Sequence, residues 1–169
     1  AGLDNDVAER LHALEPALRV DRQLHVHAGQ RRRCTDHASG AIMVRYYFGG
    51  ETSANLCDFF IYMMQAKADL GKDPFRGVPR NVMLDPGSAN TSTAFKTLCK
   101  ALGVHVQINK PGQPRAKGQV EKANDMVETA FESSLRLVEV AGIDELNALA
   151  ERWQRYFNGT KTHSRHGLT

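Results

Sequence analysis

The sequence predicts a mixed α/β domain in which helices cover a sheet, and three observations carry that reading. Runs with period-two alternation occupy the stretch before position 50, and after it helical stripes alternate with short apolar runs. The 169 residues, 41% apolar and 24% charged, suffice for one domain with a real core and leave little room for two. The expected element order is β, β, β, α, β, α, β, α, α.

Leu3, Val7, Leu11 and Leu14 recur at helical intervals, predicting a connector helix over residues 1–16 that stops near Pro16. Leu18, Val20, Leu24 and Val26 then share one face of an alternating run, with Arg19, Asp21, Gln23 and His25 on the other, as in a strand. Residues 32–35 and the Ile-, Val- and Tyr-rich 41–48 flank Asp36-His37-Ala38-Ser39-Gly40 and predict a hairpin. Thr52 or Ser53 caps a helix whose apolar stripe is Leu56, Phe59, Phe60, Met63 and Leu70, closing at Gly71. Residues 73–79 read as a connector and 82–84 as a short buried strand. A helix over 93–102 closes at Gly103, and a strand follows in which Val104, Val106 and Ile108 alternate with His105 and Gln107. Pro111-Gly112-Gln113-Pro114 excludes regular structure, but from about Gly118 the spacing of Val120, Ala123, Val127, Phe131 and Val138 predicts a helix. Asp144 caps a last helix built on Leu146, Leu149, Trp153 and Phe157. The core thus spans residues 17–140, with a C-terminal helix and tail over 141–169.

No apolar run approaches the roughly 20 residues of a membrane span, and no signal-peptide pattern opens the chain, so a cytoplasmic protein is expected. Cys34, Cys57 and Cys99 lack CxxC spacing, which suggests neither a disulfide framework nor a zinc cluster. Charge is unevenly spread. Residues 1–16 carry a net −3 and residues 17–50 a net +4, while Lys110, Arg115, Lys117 and Lys122 stand against Glu121 alone in 110–122. Clustered cations of this kind suit phosphate contacts, although a solvated surface would carry them as well. No Walker-type phosphate loop is present.

Asp85 lies where a buried apolar run meets a Pro-Gly turn, a strand-end position favoured by ligand sites. Glu121 starts the helix after the Pro-rich loop, with 35 residues between the two carboxylates. Taken singly, Asp85 is a turn-initiating Asp and Glu121 a first-turn Glu favoured by the helix dipole. His25 with His27, and His163 with His166, have spacings that metal ligands use but lack an accompanying Cys pair.

Together, Asp36-His37-Ala38-Ser39-Gly40, Asp85-Pro86-Gly87-Ser88-Ala89-Asn90 with Phe95, Leu98 and Leu102-Gly103, and the run from Lys110 to Glu121 with Asn124 resemble the catalytic core of DDE transposases and retroviral-type integrases. Trp153, Phe157-Asn158, His163-Ser164 and Gly167-Leu168-Thr169 are similar to the tail of bacterial and phage transposase cores. The resemblance implies a ribonuclease-H-like mixed five-stranded sheet flanked by helices. It also implies a polynucleotidyl transferase that cleaves DNA 3′ ends and transfers them to target DNA with two Mg²⁺ (or Mn²⁺) ions. It assigns Asp21, Asp85 and Glu121 as catalytic, metal-holding carboxylates, and Arg115, Lys117, Lys122 and Asn124 as DNA contacts. Expected partners are element ends and target DNA, further copies of the chain in a dimer or higher multimer, and a separate ATPase helper, in a bacterial or phage setting. For the first carboxylate, the strand of Asp21 is polar for a central one, Asp36 is the nearest competitor, and a segment bearing another first carboxylate is a third option. Pro86 stands where relatives commonly have Asn. The alternatives are a non-catalytic DNA-binding or assembly module of a degenerate element, and a ribonuclease-H-type nuclease.

Overall fold

The computed structural model describes residues 19–27, 31–67, 73–87, 91–109 and 121–160, with backbone alone for 19–27, 31 and 32. One sheet runs in the order β3-β2-β1-β4-β5. Its strands are β1 (Arg19–His27), β2 (Arg31–Asp36), β3 (Ile42–Tyr46), β4 (Val78–Leu84) and β5 (His105–Ile108). The first three pair antiparallel, whereas β1 with β4 and β4 with β5 are parallel. The connections dictate this mixture. Short turns can join only antiparallel neighbours, while α1 (Ser53–Met64) and α2 (Thr93–Ala101) are crossovers long enough to return the chain for a parallel strand. The predicted connector helix 1–16 lies outside the described residues.

Alternation along β3 divides the apolar residues between two cores. Met43 joins Phe59, Phe60 and Met63 of α1, Val82 and Leu84 of β4, and Phe95 and Leu98 of α2. Phe60 and Phe95 meet edge to face at 5.3 Å. Ile42 and Val44 point the other way, onto Ala123, Val127 and Phe131, and onto Ala150 and Phe157 of α4 (Ile143–Thr160). Trp153 lies 5.4 Å from Phe131 and 5.2 Å from Phe157, ring centroid to ring centroid. Each fully buried large side chain contributes roughly 1.5–3 kcal/mol.

Helix α1 ends at Met64, six residues before the predicted Leu70, because Gln65 turns extended and Lys67 folds back beneath the last turn. The Lys67 Nζ donates to the carbonyls of Tyr62, Met63 (3.4 Å) and Gln65 (2.8 Å), a cation placed on the helix's negative end. Leu70 and Gly71 lie outside the described residues. Strand β4 starts earlier than the expected 82, at Val78, and accommodates Pro79 at its second position. Helix α4 begins at Ile143, so Asp144 lies in its first turn and is not the cap; Glu145 Oε2 instead accepts from the Ala141 N–H at 2.8 Å.

The helix over 121–135, α3, is α-helical at 121–126, π-helical at Val127–Glu132 and α-helical again at Ser133–Leu135. Its apolar residues Ala123, Val127, Phe131 and Leu135 recur strictly every four. At 3.6 residues per turn each such step advances about 40° round an α-helix, so the stripe would drift by about 120° over its length. The wider π turn rotates less per residue and keeps the stripe on the sheet. Hydroxyls on the other side support it: Thr129 and Ser133 donate to the carbonyls four residues back, and Ser134 to the Phe131 carbonyl at 2.6 Å. Val138 is about half exposed and does not extend the stripe.

Strand β3 is an edge of the sheet, yet side-chain amides pair most of its outward backbone groups. Asn158 Oδ1 accepts from the Ile42 N–H and its Nδ2 donates to the Ile42 carbonyl, both at 2.9 Å. Gln154 Oε1 accepts from Val44 N–H at 2.9 Å, and Asn147 exchanges both bonds with Tyr46, at 2.8 and 3.1 Å. Three amides on one face of α4 therefore take the place of a sixth strand.

Candidate active site

Parallel pairing places Leu84 level with Ile108, and the ladder continues one step further through Asn109 N–H to the Leu84 carbonyl, 2.8 Å. Asp85 and Asn109 are therefore side by side as both strands end, and Asn109 Nδ2 donates to Asp85 Oδ1 at 3.2 Å. Val82 and Leu84 belong to the α1–α2 core, with Val106 and Ile108 packed on it. Alternation consequently directs Asp85 and Asn109 to the opposite face. Helix α3 packs on that side of the sheet at β3, where Ala123 is buried with Ile42 and Val44, and Glu121 is exposed at the start of the helix's described part. A carboxylate at a strand's C-terminal end is thus brought to the same side of the sheet as a helix bearing a second one.

Asp21 sits differently. Its strand is parallel to β4, with Val20 level with Pro79, Gln23 with Asn81 and Val26 with Leu84, and the register shifts between Val20 and Gln23. The backbone of Asp21 is thus at the opposite end of the strand pair from Asp85, about 16 Å away at a rise of roughly 3.3 Å per residue. The β1 position that comes level with Asp85 is His27. Asp36, the competitor, is only 3% exposed and holds the hairpin turn: it accepts from Ser39 Oγ (2.5 Å), Ser39 N–H (3.3 Å) and Ala38 N–H (3.4 Å). Gly40 closes that turn at φ 67°. Among the described residues, no three His, Cys, Asp or Glu side chains converge as a metal site.

Of the DNA-contact candidates, Lys122 is exposed on α3, and Asn124 is half-buried with its Oδ1 unpaired among the described residues. Arg115 and Lys117 lie outside the described residues, as do His163 and His166. Asn109 was not legible as a site residue. Its only signal in the sequence is its place one residue beyond a strand that runs parallel to the one ending at Asp85.

Among the described residues, the charged cluster with resolved pKa shifts lies elsewhere, at the end of α1. Arg45 and Lys67 flank the Tyr62 ring at 4.2 and 4.6 Å from its centroid, and Asp73, 2% exposed, pairs with Arg155 at 2.6 Å. Burial lowers the Lys67 pKa to about 8, with Asp73 and Glu151 opposing it. Burial also raises Tyr62, and pushes the Cys99 thiol up to about 12. This cluster braces the packing of α4 against the loop after α1.

The profile of the TnsB C-terminal domain matches residues 33–136, well over half of the sequence. The chain belongs to the TnsB C-terminal domain family. This TnsB-type domain is a transposase- and integrase-type fold, and solved structures agree. The catalytic core domain of HTLV-2 integrase, determined in complex with magnesium in a dimeric form, aligns with a TM-score of 0.65 and 18% identity over 90% of this chain and 95% of that one. The BIV integrase catalytic core domain aligns with a TM-score of 0.62 and 18% identity over 89% and 91%. The simian T-cell lymphotropic virus intasome, in complex with the PP2A regulatory subunit B56 gamma, gives a TM-score of 0.62 and 18% identity over 88% of the TnsB-type domain. There the domain spans about half, 51%, of the chain it matches. No curated protein matches the sequence. At such identities the structures establish the fold, a mixed α/β domain of the ribonuclease-H-like kind. Among the described residues, no helix is long and apolar enough to cross a membrane.

Proposed function

We propose that this TnsB-type domain is the catalytic core of a DNA transposase, cleaving element ends to a 3′ hydroxyl and joining that hydroxyl to target DNA. The observation that carries the reading is Asp85, anchored by Asn109 at the end of β4 and directed to the side of the sheet on which α3, the helix bearing Glu121, packs. Both are carboxylates, the hard oxygen donors that Mg²⁺ takes while keeping waters or phosphate oxygens in its other positions, so the donor set fits that ion. Two such ions, when bound, supply charge stabilisation to the attacking and leaving oxygens of the phosphodiester. Asp85 and Glu121 would hold them; Asp21, the third carboxylate that the resemblance assigns, lies about 16 Å from Asp85 along the strands and would not share an ion with it. Lys122 and Asn124, one turn or less from Glu121, orient the DNA backbone at the reacting end, and Arg115 and Lys117 add phosphate contacts that supply affinity more than sequence readout. Element ends, target DNA, further copies of the domain and an ATPase helper are its partners in this reading.

The register of β1 favours one competing reading. With Asp21 about 16 Å from Asp85 along the strands, the domain would be an assembly or DNA-binding module with an incomplete site. The experiment that separates the two is Mg²⁺-dependent end cleavage by the full-length protein with Asp85→Asn, Glu121→Gln and Asp21→Asn. The catalytic reading expects Asp85→Asn and Glu121→Gln each to abolish cleavage at unchanged melting temperature. Unchanged cleavage in Glu121→Gln overturns it, and loss in the first two with full activity in Asp21→Asn removes Asp21 alone.

A further inference from the structure

We infer that Asn109 is a positioning residue for Asp85, setting the orientation of its carboxylate for a divalent cation; the inference rests on the reading of Asp85 just proposed. Three observations converge. The bond from Asn109 Nδ2 to Asp85 Oδ1, 3.2 Å, joins two residues that each lie one step past the end of a strand. The backbone bond from Asn109 N–H to the Leu84 carbonyl, 2.8 Å, fixes the base of the Asn109 side chain against β4 itself, so the amide is not delivered by a mobile loop. Alternation along both strands sends the two side chains to the same face, away from the Val82, Leu84, Val106 and Ile108 side that is packed on the first core.

The chemistry of the donor matters. A carboxylate offers about four lone-pair positions, and one amide N–H occupies one of them without adding charge. A lysine or arginine at the same place would neutralise Asp85 and compete with a cation. An amide fixes the rotation of the carboxylate while leaving its full negative charge for the metal. Partners of this kind, which hold a ligating group from outside, typically change metal affinity or activity by about 10–100-fold when removed. The turn after Asp85 contributes from the other side, through Gly87 N–H to the Asp85 carbonyl at 2.8 Å, and fixes the backbone but not the carboxylate.

The test is a calorimetric titration of the full-length protein with Mn²⁺ alone, comparing wild type, Asn109→Ala, Asn109→Leu and Asp85→Asn, with melting temperature recorded for each. Leucine keeps the branched heavy-atom shape of asparagine and fills its space, so a loss shared by both variants belongs to the amide and not to a cavity. The expected result is a Mn²⁺ Kd about 10–100-fold weaker in both Asn109 variants at unchanged melting temperature, with binding lost in Asp85→Asn. Affinities within twofold of wild type in both Asn109 variants, alongside lost binding in Asp85→Asn, overturn the positioning role and leave the site intact. Wild-type affinity in Asp85→Asn overturns the metal reading of Asp85, and the role of Asn109 with it.

Discussion

Replacing Asn158 with alanine tests whether the amides of α4 seal the sheet. Asn158 is buried, and its side chain makes two bonds of 2.9 Å to the N–H and carbonyl of Ile42. Truncation leaves one backbone donor and one acceptor unpaired beside Ile42, itself 2% exposed. Each unsatisfied buried group costs about 1–3 kcal/mol, and alanine returns at most about 0.7 kcal/mol of helix propensity. The expected loss is therefore about 1–5 kcal/mol, or a fall in melting temperature on the order of 3–20 °C at this chain length. Urea unfolding at constant m measures it. Asn158→Leu should lose a comparable amount, since it retains bulk and not the amide. A loss below about 1 kcal/mol in both variants would refute the reasoning, because it would mean that water or a shifted helix satisfies Ile42 as well. The bared edge supplies a second readout: light scattering should show stronger concentration-dependent association in the variants than in wild type.

Further outcomes follow from other sites. Asp36→Ala should cost about 2–3 kcal/mol by releasing the three donors of the hairpin turn, measured by thermal or urea unfolding. Deleting Ala130 turns the four-four-four stripe of α3 into four-three-four, which an ordinary α-helix keeps on one face; the variant should fold, with stronger amide protection over the former π turn, and a loss of more than about 2 kcal/mol would contradict this. Lys67 has its pKa lowered from 10.5 to about 8, so between those values the unfolded chain binds more protons and stability rises with pH. From pH 8 to 9 the unfolding free energy of wild type should therefore climb relative to Lys67→Met. Cys99, raised to about 12, should resist thiol reagents at pH 8 until the protein unfolds.

Much of the architecture could be read from residues whose neighbours are close in sequence. The hairpin turn was visible because Asp36, Ser39 and Gly40 each have a local task in it, and α2 because Phe95, Leu98 and Gly103 mark its stripe and end, whereas its cap, Ser92, went unread. The end of α1 was misplaced since Leu70 continues the stripe, whereas the Lys67 side chain that caps the helix at Gln65 leaves no trace in periodicity. The π turn was equally hidden: spacing of four fits a helical pattern until the angular drift is summed over three steps. The Asn147, Gln154 and Asn158 amides lie more than 100 residues from the strand they pair with, and polar residues on a helix read as a solvated face. In the candidate site, Asp85 and Glu121 were legible from motif and position. Asn109 was not, because its role arises from a register that only strand pairing determines, and the same register separates Asp21 from Asp85.

The distance along the chain between β3 and the amides that close its edge has a consequence for biosynthesis. Ile42 and Asn158 are 116 residues apart. At synthesis rates of about 5–20 residues per second, the outer side of β3 emerges roughly 6 to 23 s before its cover exists. For that interval an apolar strand with open backbone groups is available to any neighbouring nascent chain. The need for a chaperone should therefore be greatest before α4 leaves the ribosome, and polysome crowding should penalise this domain more than one whose edges close locally.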